Sequence, residues 1–200
     1  MKKAFFLLTV CAFTFVSAFA QNSEVEVASQ MTKTEQFKTS CTFLKETVIG
    51  QFKEGGIRIV TMLYTDLKTG DKLVGMEFQS YATLLNGITP GGENLGYLDI
   101  DQVDDFILAL ERIVEENKSD DKKDKCAIHY LTPSGIDVHY YSIKGVQYIG
   151  FRKRWLTKNE FGVESYAYTQ NPPVMSIGKL KDLISEIKES QTIAKQYFNK

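Results

Sequence analysis

Apolar and polar positions alternate along most of this chain, and at two places the alternation gives way to helical spacing. Thr42 to Phe52, Ile57 to Thr65 and Lys72 to Tyr81 are rich in β-branched and aromatic residues. They are separated by Glu54-Gly55-Gly56 and by the polar stretch Asp66 to Asp71, so the pattern predicts three strands joined by turns. A fourth, shorter strand is expected around Leu95 to Leu98, after the turn at Thr89-Pro90-Gly91-Gly92. Val103, Phe106, Ile107, Leu110, Ile113 and Val114 then fall on one stripe of a helix.

The second half follows the same order. Strands are expected over Ala127 to Leu131, Ile136 to Ile143 and Val146 to Trp155. A weaker one should lie near Val163 to Tyr168 or at Val174-Met175. A helix follows, with Leu180, Leu183, Ile184, Ile187, Ala194 and Phe198 on one face.

The two halves also match residue by residue. Gly56 to Val60 corresponds to Gly135 to His139, Val74-Gly75-Met76 to Ile149-Gly150-Phe151, and Leu98 to Ile107 to Met175 to Ile184, at offsets of 79, 75 and 77. A near-constant offset is the mark of an internal repeat. The expected fold is α+β: a duplicated unit of antiparallel strands followed by one helix, in two sheets or one shared sheet about a pseudo-twofold axis. The first repeat spans 40–117, the second 126–200, with a polar connector over 118–125 and both repeats in one compact domain. Residues 21–39 lack apolar periodicity and are expected to form a flexible leader.

Two lysines, an apolar run from Ala4 to Val16 and the small-residue ending Ala18-Phe19-Ala20 have the order of a secretory signal peptide, with cleavage expected after Ala20. Cys11 lies too early in the apolar run for lipidation. The protein is therefore expected to be exported, to the periplasm or beyond, and no later apolar run has the length of a membrane span. Without residues 1–20, the 24 Lys and Arg fall to 22 against 25 Asp and Glu, a formal charge of −3. That balance argues against nucleic acid as a partner. Cys41 and Cys126 each open the first strand of their repeat, in a compartment that permits disulfides, and the alternatives are a bridge between them or two separate thiols.

The element order resembles the Whirly family of single-stranded-DNA binders, in which two copies of four antiparallel strands and a helix pack about a pseudo-dyad. The resemblance implies that fold, and single-stranded nucleic acid binding as one function to test. It covers most of the chain as element order, without a Lys-Gly-Lys-Ala-Ala-Leu segment of the Whirly type. The chain is also similar in general character to exported proteins of Gram-negative gut bacteria.

Chemistry-bearing residues are few. Asp99, Asp101, Asp104 and Asp105 lack the glycine and distal glutamate of a calcium loop, and are expected to cap and charge the start of a helix, with Ser176 as cap in the second copy. The two histidines, His129 and His139, have no zinc-ligand spacing, and no cofactor or metal is expected.

A two-residue turn at Lys144-Gly145 places Ile136, Val138, Tyr140, Ile149 and Phe151 on one face of the second hairpin, as core. The other face then carries Asp137, His139, Tyr141, Tyr148, Arg152 and Arg154. Of these, His139, Tyr141, Tyr148, Arg152 and Arg154 are the candidate ligand-binding residues, while Trp155 falls on the core parity and is expected to pack. The leading expectation is a non-enzymatic protein that binds a peptide, glycan or protein partner on this face. The alternative is a small enzyme with a site between the repeats that uses His129 or His139.

Overall fold

The computed structural model describes residues 31–81, 83–84, 87–88, 93–119, 125–143, 146–160, 162–169 and 172–198. The chain divides into two units, Met1–Met31 and Thr32–Lys200. Of the first only Met31 is described. The expected signal peptide, its cleavage site and the leader as far as residue 30 lie outside the described residues.

The second unit is α+β. It begins with helix α1 (Lys33–Ser40), followed by β1 (Leu44–Glu54), β2 (Ile57–Asp66), β3 (Lys72–Ser80), the two-residue strands β4 (Thr83–Leu84) and β5 (Gly87–Ile88), and β6 (Glu93–Asp99). A 3₁₀ turn over Ile100–Gln102 leads into α2 (Val103–Ser119). Then come β7 (Lys125–Leu131), β8 (Ile136–Ile143), β9 (Val146–Lys158), β10 (Glu164–Tyr168), β11 (Val174–Met175) and α3 (Ile177–Phe198). One antiparallel sheet has the order β1-β2-β3-β6, and the other has β10-β9-β8-β7 with β11 also on β9. β10 and β11 follow one another along the same strand, β9, pairing with its residues 154–158 and 149–150 respectively. Each repeat is thus a four-strand meander closed by a helix, and both of the weak runs foreseen near residues 163–175 are strands.

The repeats are joined in a crossed manner. α3, from the second repeat, lies against β1, β2 and β3 of the first sheet, and it also packs on α2. Gln191 Nε2 donates to Asp104 Oδ1 (2.8 Å) and Lys188 Nζ pairs with Glu111 Oε1 (2.7 Å), so the two helices run antiparallel. The start of β8 presses on the last strand of the first repeat, where Gly96 leaves no room for a Cβ beside Ile136 and Ser134. Its counterpart is the turn before β2, where Gly55 lies against Met175. A two-fold relation requires such reciprocal contacts. The shared interior holds Ile57, Ile59, Met76 and Phe78 with Leu98 from the first repeat, and Val138, Tyr140, Ile149 and Phe151 from the second. Both helical stripes lie between them, and Phe106 meets Phe78 edge-on at 5.4 Å.

The leader departs from expectation. Instead of a flexible segment through residue 39, the chain is helical from Lys33. Thr32-Lys33-Thr34-Glu35 forms a capping box: Thr32 Oγ1 accepts from Glu35 N–H at 3.1 Å, and Glu35 Oε2 accepts from Thr32 N–H at 2.9 Å. Eight residues with no strong apolar stripe do not hold a helix by themselves; tertiary contacts do. The buried carboxylate of Asp99 accepts from Lys33 N–H (2.7 Å), Thr34 N–H (2.9 Å) and Thr34 Oγ1 (2.7 Å). Asp99 stands at the N-cap of its own 3₁₀ turn, as foreseen, but its carboxylate anchors a different helix 65 residues away. In the second repeat Ser176 caps α3, accepting from Lys179 N–H at 3.4 Å.

α1 covers the outer face of the first sheet. Val60, Met62 and Tyr64 are buried beneath it with Phe37, Leu44 and Leu73, forming a second small core. Gly75 lies so close under Thr34 that a Cβ would not fit. Lys38 reaches down from α1 to Glu77 (3.1 Å) and Glu46 (2.8 Å) and sits 5.0 Å above the Tyr64 and Tyr97 rings. Burial opposes its charge, yet the hydrogen bonds to Glu46 and Glu77 outweigh it and hold the Lys38 pKa well above that of an ordinary lysine. Among the described residues no helix is long and apolar enough to cross a membrane.

Replacing Asp99 by Ala removes an ionic acceptor from two main-chain donors. The expected cost is about 2–3 kcal/mol, read as a lower urea midpoint, together with faster proteolysis near residues 41–43. Asp99→Asn, which keeps one acceptor oxygen, should lose less on both measures.

Candidate functional site

The register of the second sheet brings the candidate residues together. Tyr141 pairs with Tyr148, His139 with Gly150 and Asp137 with Arg152, so all of these side chains leave the same face. His129 joins them from β7 opposite His139, and Tyr166 and Tyr168 come from β10. The alternate positions Ile136, Val138, Tyr140, Ile149 and Phe151 are wholly buried in the interior, as the pattern requires.

The face has a polar centre and an aromatic surround. Asp137 is buried, holds Arg152 Nε at 2.7 Å and lies 3.6 Å from His129 Nδ1, an electrostatic contact beyond hydrogen-bond reach. The Tyr141 hydroxyl lies 3.4 Å from His129 Nε2. Tyr141 is the hub of the rings, with Tyr148 and His139 each 5.3 Å away and His129 at 5.6 Å. Arg152 lies 4.0 Å above the ring of Tyr168 and Arg154 4.1 Å above that of Tyr166. Such cation–π contacts are worth about 0.5–1 kcal/mol at an exposed site, which fixes the planes of the guanidinium groups more than it stabilises the fold.

His139 is 5% exposed because its ring lies across Gly150, in the space a side chain would fill. Burial, with the nearby Arg152 and His129 acting in the same direction and Asp137 against them, lowers its pKa from the usual 6.5. It is therefore neutral at neutral pH.

All five candidate residues, His139, Tyr141, Tyr148, Arg152 and Arg154, lie on this one face. His139 therefore does not point into the interior between the repeats, whereas His129, at the edge of the face, also borders a groove between β7 of the second repeat and α2 of the first. Trp155 differs from expectation: its ring is 39% exposed. β8 begins at Ile136, opposite Lys153, so beyond that point β9 and β10 continue as a two-stranded ribbon, on which Trp155 stands opposite Ala167. Pattern reading passed over Tyr166 and Tyr168. Their signal was the alternation Tyr166-Ala167-Tyr168, which puts both rings on one side of a strand. Cys41 follows α1 with a free thiol, whereas Cys126 pairs with Ser142 in the sheet and its side chain lies outside the described residues. Among the described residues, no three His, Cys, Asp or Glu side chains gather as they would around a metal ion.

No protein-family model, curated protein or solved structure matches this chain.

Two outcomes follow from the His139–Gly150 contact. Gly150→Ala should force the imidazole out of its seat and cost about 1–3 kcal/mol, measurable by denaturant unfolding. Since the folded chain holds the His139 pKa below its unfolded value, the unfolded state takes up the proton first as pH falls. Stability should thus decline once pH drops below about 6.5 and level off under the folded pKa. A thermal-unfolding series from pH 7.5 to 5.0 checks this, and His139→Gln should flatten the slope.

Proposed function

We propose that this protein is an exported, non-enzymatic binding protein, and that the outer face of its second sheet takes a peptide, a glycan or a protein surface. The observation that carries the reading is the contrast between equivalent faces. Met62 opposite Gly75 and His139 opposite Gly150 occupy the same place in the two repeats, so the sheet registers relate β2 to β8 at an offset of 77 rather than the 79 expected from matching Gly56–Val60 to Gly135–His139. The first is sealed by α1, which puts Thr34 over Gly75 and Lys38 over Glu77. The second has no helix over it among the described residues, and it carries Asp137 and His139 in place of Val60 and Met62, Tyr148 in place of Leu73, and Arg152 and Arg154 in place of Glu77 and Gln79. Rings that are held rigid, with guanidinium groups stacked flat beside them, offer stacking surfaces and charged donors at little entropic cost, as binding faces of proteins do. The chemistry is that of recognition: planar surfaces, donors and one buried acid that orients them.

The test uses Tyr148→Ala, Arg154→Ala and Tyr166→Ala, singly and together. Arg152 is avoided because it neutralises buried Asp137, so its loss would harm the fold. The triple variant should keep its thermal unfolding within a few degrees and lose at least tenfold in capture of partners from envelope or culture extracts. Undiminished capture by a folded triple variant removes this face as the binding site. Retention of single-stranded oligonucleotides with steep salt dependence would favour the nucleic acid function that the Whirly resemblance implies.

A further inference from the structure

The second sheet ends at β7, which is hydrogen-bonded to β8 on one side and, among the described residues, adjoins no strand on the other. A strand in this position presents main-chain N–H and C=O groups at alternate residues, ready to pair with another extended chain. The corresponding edge of the first sheet is blunted: β1 carries a register shift between Val48 and Gly50 and lysines at positions 45 and 53. β7 has no such break, pairing in unbroken register from Lys125 to Leu131.

Beside β7, between it and α2, runs a groove of about 860 Å³. Its floor is apolar, formed by Leu108, Ala109, Ile128 and Tyr130, and Leu108 is 50% exposed there. Asp105, Glu115 and Glu116 line the groove as well, with one guanidinium, Arg112, and the imidazole of His129. The helix beside each edge strand differs at this place. In the alignment of Leu98 on Met175, Ile193 of α3 falls opposite Glu116 of α2. Ile193 packs down against Gly50 of β1, whereas α2 offers a carboxylate at the matching place.

We infer that β7 accepts an extended basic peptide as an added strand, its inward side chains entering this groove. Main-chain pairing supplies the affinity and the groove selects the side chains. Successive residues of an added strand point to opposite faces, so every second one meets an apolar floor bounded by carboxylates. Lys or Arg fits that environment, the methylene stem lying over Leu108 and the cationic head reaching Asp105 or Glu115. This surface adjoins the outer face proposed above at His129 but includes none of Tyr148, Arg154 and Tyr166, so either can fail alone.

The probe is acetyl-(Lys-Thr)₄-amide, titrated into the purified protein and followed by backbone amide NMR shifts. The expected result is saturable binding with shifts confined to residues 105–116 and 125–131. The Glu-Thr counterpart, and a version with proline at the fourth position, should bind at least tenfold more weakly. Leu108→Lys, which puts a cation on the groove floor without touching the interior, should weaken the probe at least tenfold and leave thermal unfolding unchanged. Equal affinity for the proline-interrupted peptide, undiminished binding to Leu108→Lys, or shifts centred on Tyr148 and Arg154 would each overturn the inference. So would a concentration-dependent dimer abolished by Leu108→Lys, since β7 would then pair with a second copy of the chain.

Discussion

A four-stranded sheet has two faces, and a two-fold arrangement of two such sheets around paired helices buries only one face of each. That constraint governs this molecule. The inner faces close on one another through Ile57, Ile59 and Phe78 from one repeat and Val138, Tyr140 and Phe151 from the other, with the apolar stripes of the antiparallel α2 and α3 in the same core. Each outer face must then be covered or be polar enough to meet water.

The two repeats satisfy the constraint differently. In the first, the outer residues of β2 are Val60, Met62 and Tyr64, which need a cover; α1 supplies it and is held by the Asp99 carboxylate at one end and by Lys38 on Glu77 at the other. In the second, the outer residues of β8 are Asp137, His139 and Tyr141, and the face is closed at its centre by side chains alone. His139 fills the hollow over Gly150, Asp137 is neutralised by Arg152, and the tyrosines shield the pair. The two repeats thus share the arrangement of their inner faces and differ on the outside, one capped by α1 and the other presenting an aromatic surface with guanidinium groups.

Much of this was legible beforehand because strand alternation and helical spacing report directly on which residues face the interior. The hairpin of β8 and β9 was readable to the register: a two-residue turn fixes which positions share a face, and the five candidate residues fall together as that parity requires. The run from Ile57 to Tyr64, broken by Arg58 and Thr61, also puts apolar side chains on both faces of its strand. The Thr32-x-x-Glu35 box signalled a helix start. Neither signal names its partner, because α1 has no strong apolar stripe of its own and its docking rests on Asp99, far away in sequence.

The sequence by itself determined the α+β class, the strand-then-helix order of both halves, the inward residues at the centre of the β8–β9 hairpin and the apolar stripes of both long helices, since these depend on local periodicity and on apolar side chains leaving water. Only the tertiary structure decided that residues 33–40 form a helix over the first sheet, that Trp155 lies on a ribbon running past the core, that Tyr166 and Tyr168 stack under Arg154 and Arg152, and that a groove opens beside β7. Each of these depends on where a strand ends relative to its neighbour or on which distant group reaches a face, and no local pattern encodes that distance.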